Sequence, residues 1–172
     1  MKRGCIVVLL IIIDFTISFA QQINININNI VRGNAALSYL EGEKISFIDT
    51  ISLSNENKFE FNFDEVKNHR GFYRLSFNNN KWIDFIYDNE DVNLLTDVIS
   101  ILDSLKVIVS ESNRIYYSFV KLSKDYKTKT ELLQLILARY PKEDSYYQTT
   151  KEKLVRVQEN YFYFNDKLNF NQ

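Results

Sequence analysis

Residues 71–97, GFYRLSFNNNKWIDFIYDNEDVNLLTD, decide the fold that this sequence predicts. Two runs with a period of two flank three asparagines, and a third run follows an acidic turn. The residues that share one face are Tyr73, Leu75 and Phe77, then Ile83, Phe85 and Tyr87, then Val92, Leu94 and Thr96. A period of two is typical of β-strands, so the stretch predicts a hairpin and a third strand. The apolar face of the hairpin requires a second layer to cover it.

The same period recurs before and after this hairpin. It is clearest in INININ at 23–28 and in KFEFNF at 58–63, where Phe59, Phe61 and Phe63 share one face. Strands are predicted at 23–28, 37–40, 44–54, 58–63, 72–77, 82–87, 92–96 and 106–109, whereas 98–105 has no clear assignment. Seven or eight short strands joined by turns predict an antiparallel β-sandwich over 21–110.

Asp49 interrupts the apolar set of the strand at 44–54. The set otherwise consists of Ile45, Phe47, Ile51 and Leu53. An exposed strand end or a β-bulge that turns the side chain explains this better than a catalytic carboxylate does.

The period changes to a helical one after Ser110. Ile115, Phe119, Leu122 and Tyr126 have the 4-3-4 spacing of one helix face, and Thr128-x-x-Glu131 has the form of a capping box that begins a second helix before Pro141. A last stripe with alternating spacings of 3 and 4 consists of Tyr147, Thr150, Leu154, Val157, Tyr161, Phe164 and Leu168. We interpret it as one arm of an intramolecular hairpin rather than a dimeric coiled coil. The predicted class is therefore α+β, with two or three helices over 111–172 packing on the sandwich.

The first twenty residues have the pattern of a signal peptide. Lys2 and Arg3 precede an apolar run, and Ser18-Phe19-Ala20 offers small residues for cleavage before Gln21. The run is interrupted at Asp14 and is too short to span a bilayer, so cleavage is favoured over a retained anchor. Cys5, the only cysteine, would leave with the signal, which excludes disulfides, thiol nucleophiles and thiolate metal sites in the mature chain. The prediction is an exported protein of the periplasm or outer envelope.

Composition and motifs give no support for catalysis. Lys and Arg total 21 against 22 Asp and Glu, scattered along the chain, which does not favour nucleic acid as a partner. The single histidine, His69, is interpreted as a loop residue, and the acidic run 88–91 as a solvated turn, because it lacks the glycine and terminal glutamate of a calcium loop. No nucleophile, nucleotide or zinc-protease motif is found in the sequence. We expect a protein that is not an enzyme and uses no metal or cofactor.

Aromatic residues are the remaining candidates for binding. Trp82, Tyr87, Tyr116 and Tyr117 could form a platform that stacks sugars or lines a peptide groove, although aromatic residues on strands and helices more often belong to a core.

Four segments carry a resemblance to a known family: IDTISLSNENKFEFNF at 48–63, GFYRLSF at 71–77, WIDFIYDNEDVNLLTD at 82–97 and KVIVSESNRIYYSF at 106–119. In this order they resemble the N-terminal accessory domain of unknown function that precedes the thioredoxin domain of Bacteroidota-type periplasmic thiol–disulfide oxidoreductases. The family's steps include a Phe-x-Phe strand, a Gly-x-Tyr-x-Leu strand and a Ser-x-x-Asn step into helices. The sequence departs from the family in having no C-x-x-C pair, so no residue inherits the redox role.

Three functions follow as expectations. The first is a non-catalytic accessory domain of the cell envelope that binds another envelope protein, with oligomeric state left open. The second is a fragment of a thiol–disulfide oxidoreductase that lacks its C-x-x-C domain. The third is a glycan-binding β-sandwich.

Overall fold

The computed structural model describes residues 20–31, 33–63, 69–77 and 80–169, apart from the side chains of 165 and 167–169. The predicted signal peptide lies outside these residues except for Ala20, as does most of the polar loop before Gly71. None of the helices within the described ranges is both long and apolar enough to cross a bilayer.

Eight strands and three helices form the described fold. The strands are β1 (Gln21–Asn28), β2 (Asn34–Glu41), β3 (Lys44–Ser52), β4 (Lys58–Phe63), β5 (Gly71–Phe77), β6 (Lys81–Tyr87), β7 (Val92–Asp97) and β8 (Lys106–Val109). The helices are α1 (Ile101–Ser104), α2 (Glu111–Leu137) and α3 (Ser145–Asn169). Every predicted strand is present, and α1 occupies the part of 98–105 for which the sequence made no prediction.

The strands form two four-stranded sheets in a sandwich-like arrangement. Sheet A has the order β4-β1-β7-β8, and sheet B has the order β3-β2-β5-β6. The antiparallel prediction is wrong at one pair, because β1 and β7 run parallel with Ile25 opposite Leu94. Alternation along a strand reports which side chains are buried and not the direction of the neighbouring strand, so the sequence held no signal for this pair.

The core lies between the two sheets. Phe63 of sheet A contacts the rings of Tyr73 and Tyr87 of sheet B at centroid distances of 4.7 and 4.8 Å. Ile23, Ile25 and Ile27, on the inner face of β1, have no exposed surface. The apolar face of the β5–β6 hairpin is thus covered by β1, β4 and β7, and the predicted second layer is a second sheet.

A β-bulge, one of the two explanations offered for Asp49, lies beside it at Ile48. Leu37 of β2 lies opposite Asp49, whereas the next residue, Ser38, lies opposite Phe47, so that Ile48 is the extra residue. The bulge reverses the side of the sheet on which the first half of β3 points. Ile45 and Phe47 therefore point away from the core, contrary to the expected single set.

The two helices predicted between Ser110 and Pro141 form one continuous helix, α2, so the prediction of a start at Thr128 was wrong. The residues on either side are lysines, which are good helix formers, and neither glycine nor proline interrupts them. The hairpin prediction is confirmed: α3 packs along α2, with Tyr126 and Tyr161 stacked at 4.1 Å.

Candidate functional site

Helix α2 is attached to the free edge of β6 by one buried asparagine. The Asn113 side chain accepts from the Ile86 N–H at 2.8 Å and donates to the Ile86 carbonyl at 2.7 Å, as a neighbouring strand would. Asn113 has no exposed surface. Ser110, the N-cap of the helix, accepts from the backbone N–H and the amide of Asn113. The Ser-x-x-Asn step noted in the sequence is thus a cap followed by a strand-like clamp.

The acidic run at 88–91 also anchors α2. Glu90 accepts from the Ser110 hydroxyl at 2.7 Å and from the backbone N–H groups of Glu111 and Ser112 at 3.0 Å. Burial alone would raise the pKa of the Glu90 carboxyl, but these hydrogen bonds outweigh it and lower the pKa below its ordinary value. Across the described residues, no three acidic, histidine or cysteine side chains group in a way that could hold a metal ion.

The candidate site is the outer face of sheet B, the side turned away from sheet A. Three rows of side chains cross it, each taking one residue from β3, β2, β5 and β6 in that order. The rows are Ile45–Leu40–Phe72–Ile86, Phe47–Ser38–Arg74–Asp84 and Thr50–Ala36–Ser76–Trp82. We call this surface the outer face.

A fixed ion pair occupies the centre of the outer face. Arg74 donates from Nε and Nη2 to the two carboxylate oxygens of Asp84 at 2.6 and 2.8 Å. The hydrogen bond to Asp84 raises the pKa of the guanidinium. The Arg74 guanidinium also lies 4.8 Å from the centre of the Trp82 ring, in a cation–π contact. These contacts hold the side chains of Arg74, Asp84 and Trp82 in one arrangement.

Large apolar side chains surround this ion pair and are open to solvent. The exposed fractions are 57% for Ile45, 65% for Phe47, 41% for Phe72 and 47% for Trp82. The sequence identified Trp82 but missed Ile45 and Phe47, which it assigned to the set that includes Ile51. The polar Asp49 inside that apolar set was the signal that the register changes.

The outer face contains a depression, which we call the trough. Its volume is about 700 Å³, and its lining includes the small residues Ala36 and Ser76, with Ile45 and Thr50 on one side and Trp82 on the other. Arg74, Lys81, Asn34 and Asn80 also line it. The volume lies within the range of about 300–1,000 Å³ typical of ligand sites.

Three of the four aromatic residues proposed from sequence, Trp82, Tyr116 and Tyr117, line one small cavity of about 160 Å³, whereas Tyr87 lies apart from them. Trp82 is on the outer face, and Tyr116 is at its margin, half-buried with its ring 5.3 Å from that of Phe72. Tyr117 is 7% exposed between α2 and β6, where its hydroxyl donates to the Asp84 carbonyl and burial raises its pKa. Tyr87 belongs to the core, with its hydroxyl donating to Gln21 at 2.8 Å. The four side chains therefore do not form one platform.

His69 is exposed in the segment before β5, and its backbone carbonyl accepts a hydrogen bond of 2.6 Å from Tyr73.

No protein-family model matches the chain, and no curated protein matches it significantly.

Proposed function

We propose that this protein is a non-catalytic accessory domain, exported to the cell envelope, that binds another envelope polypeptide through the outer face of sheet B. The observation that carries the proposal is the exposure of Ile45, Phe47, Phe72 and Trp82 around the fixed Arg74–Asp84 pair. Contiguous exposed apolar surface with a polar centre is characteristic of protein interaction sites.

The kinds of side chain on this face suit a binding site. Tryptophan and arginine are the residues most enriched at the energetic centres of protein interfaces. Full burial of one large apolar side chain contributes about 1.5–3 kcal/mol, so four partly exposed ones offer a partner a substantial gain. Because Arg74 is already held by Asp84, little conformational entropy is lost there on binding.

The opposite surface of the sandwich lacks these properties. On β1 and β4 the outer face of sheet A carries amides and charges, including Asn24, Asn26, Glu60 and Asn62, and the exposed apolar Val109 lies on its edge strand β8. The edge strand β3 is also a poor template for uncontrolled strand pairing, since the bulge at Ile48 interrupts its regular ladder. The side chains of the outer face are therefore the better candidate for specific recognition.

Export is supported by the position of the first strand. β1 begins at Gln21, the residue predicted to follow cleavage, and the Gln21 side chain accepts a hydrogen bond from Tyr87 in the core. Removal of the predicted leader would thus leave the folded sandwich whole. Mass spectrometry of the protein recovered from the envelope should give Gln21 as the amino terminus, and a start at Met1 would contradict cleavage.

Site-specific photocrosslinking tests the binding function. A photoreactive phenylalanine analogue at Phe47 should give a discrete crosslinked polypeptide in intact envelopes, whereas the same analogue at the exposed Leu132 of α2 is the matched control. Adding Phe72→Glu should abolish the crosslink at position 47. Equal crosslinking at both positions, or a crosslink indifferent to Phe72→Glu, would refute the proposed face.

Two other functions are retained. If the chain is a fragment of a thiol–disulfide oxidoreductase, the same face would bind its partner. An in-frame C-x-x-C motif downstream in the gene would establish that the chain is such a fragment. A glycan-binding role is favoured by Trp82 beside the amides of Asn34 and Asn80. Quenching of Trp82 fluorescence by oligosaccharides, without any effect of peptides, would support that role instead.

A further inference from the structure

Helix α3 has a second side that is open to solvent. On the side that faces α2, Tyr161 stacks on Tyr126 and Thr150 is buried. At about 100° per residue, Val155 and Phe162 are turned about 100–120° away from Tyr161. They are 45% and 61% exposed. We call this side the α3 stripe. It consists of Gln148, Lys151, Glu152, Val155, Arg156, Glu159 and Phe162.

The α3 stripe has the shape of a helix-packing surface. In a coiled coil, each side chain of one helix inserts between four residues of the facing helix, which are spaced i, i+3, i+4 and i+7. A groove of about 390 Å³ runs along α3, and it is lined by Gln148, Lys151, Glu152, Val155, Arg156 and Glu159. These residues form two successive sets with that spacing, 148-151-152-155 and 152-155-156-159. The groove therefore offers two adjoining holes to the side chains of another helix.

The charges of the α3 stripe reverse their signs about Val155. Lys151 and Glu152 precede it. Arg156 and Glu159 follow it, so the order is positive, negative, apolar, positive, negative. All four charged side chains are exposed, and none of them has an ion-pair partner among the described residues. The same stripe running in the opposite direction carries the opposite sign at each step, so the stripe is complementary to an antiparallel copy of itself.

We propose that two copies of this protein associate through the α3 stripe, with their α3 helices antiparallel and Val155 on the two-fold axis. Lys151 of each copy then lies level with Glu159 of the other, because both residues are four positions from Val155. A parallel pair would instead place each charge beside its own copy. A closed two-fold contact uses one patch twice and stops at two copies.

The remaining residues of the α3 stripe also find partners in this arrangement. Glu152 of one copy and Arg156 of the other are about 3 Å apart along the helix axis, a distance that their side chains span. Phe162 lies level with Gln148 of the other copy at each end of the contact. The exposed surface of Phe162 is thus partly covered by the aliphatic part of a glutamine side chain.

This contact is distinct from the two already described. The coiled coil considered from the sequence would use the stripe that includes Tyr161, which packs on α2 within the hairpin. The α3 stripe also lies on another element than the outer face of sheet B, so the dimer goes beyond the proposed function. The contact extends from 148 to 162, about 21 Å, and covers less than the roughly 800 Å² per partner of a standard interface. We therefore expect a dimer that dissociates on dilution.

Sedimentation equilibrium of the purified protein measures this association, and the mean mass should rise from monomer towards dimer with concentration. Lys151→Glu brings two pairs of like charges together and should weaken the dimer by about tenfold at low salt. Adding Glu159→Lys restores opposite charges and should return the wild-type affinity. Lys153→Glu, at an exposed lysine of α3 outside the stripe, is the matched control and should leave the affinity unchanged.

Cysteine substitutions in a Cys5→Ala background test the position of the axis. Val155→Cys brings the two substituted positions together and should give a disulfide-linked dimer under air oxidation. Gln148→Cys is the control, because antiparallel helices hold the two copies of position 148 about 21 Å apart. Equal crosslinking at both positions would overturn the antiparallel arrangement.

The outcomes are separable from those for the outer face of sheet B. A protein that stays monomeric at every concentration, or a dimer that the Lys151→Glu and Glu159→Lys pair does not restore, would overturn the proposed dimer. Circular dichroism establishes that each variant is folded. The photocrosslink at position 47 tests the other surface, so either proposal can fail while the other stands.

Discussion

Replacement of Asn113 by alanine should destabilise the protein more than its position on a helix suggests. The substitution removes both hydrogen bonds to Ile86 and leaves a backbone N–H and a carbonyl of β6 without partners beneath α2. Each buried group left unsatisfied costs about 1–3 kcal/mol. Because the two losses share one site and are not strictly additive, we expect a decrease of about 3 kcal/mol in the free energy of unfolding.

Urea denaturation followed by the fluorescence of Trp82 measures this change. Ser118→Ala, on the exposed side of the same helix, is the control and should alter stability by less than about 0.5 kcal/mol. Tyr117→Phe removes one hydrogen bond to β6 and should cost about 1 kcal/mol. Hydrogen exchange at the Ile86 amide should accelerate in Asn113→Ala. A stability within 0.5 kcal/mol of the wild type, with slow exchange at Ile86, would refute the clamp.

Three further predictions concern backbone conformation and pH. Gly71 has a φ of +147°, and an added Cβ would lie 2.9 Å from the Tyr39 hydroxyl. Gly71→Ala should therefore lower the free energy of unfolding, measured by urea denaturation, by about 1–3 kcal/mol. Gly42→Ala should lower it less, because the added Cβ there meets nothing within 4 Å. The pKa of Glu90 is lowered, so its contribution to the free energy of unfolding is present above its ordinary pKa of 4.5 and is lost as the pH falls further. Glu90→Gln should therefore be less stable than the wild type at neutral pH and should lose less stability on acidification. Parallel pH profiles of the two proteins would contradict this assignment. Burial raises the pKa of Tyr73 to about 12 from 10.0, so its contribution to the free energy of unfolding is complete below pH 10 and is lost as the pH rises through 12. Tyr73→Phe should therefore lose less stability than the wild type over that range. Equal losses in the two proteins, followed by circular dichroism, would contradict the assignment.

Much of the secondary structure can be predicted from the sequence, because burial of one face imposes a period of two on the apolar residues of each strand separately. Phe59 and Phe63 alternate with polar residues, and both lie in the core. The helices were harder to delimit. The capping-box pattern at Thr128 describes one possible helix start, but the helix continues through it because the neighbouring residues already favour helix and α3 packs along this part of α2.

The candidate site was only partly predictable. Trp82 was identified as a possible ligand contact, but the sequence did not show that Arg74 of the adjacent strand lies over its ring. Tyr87 and Trp82 lie on the same strand and on opposite faces of the sheet, so a list of aromatic residues could not distinguish them without knowing which face is covered. Ile45 and Phe47 reach the outer face only because of the bulge at Ile48.

The sequence by itself determined the eight strands and most of the buried set, since the local period of a segment follows directly from its having one face in the core, but it did not assign α1 or show that α2 is continuous. The Ser-x-x-Asn step noted in the sequence lies at the start of α2, but the structure shows that Ser110 is its cap. Only the tertiary structure decided the strand order, the parallel pairing of β1 with β7, the exposed side of β3 and the rows of the outer face. These features depend on hydrogen bonds and contacts between residues far apart in the chain, which the period within one strand does not encode.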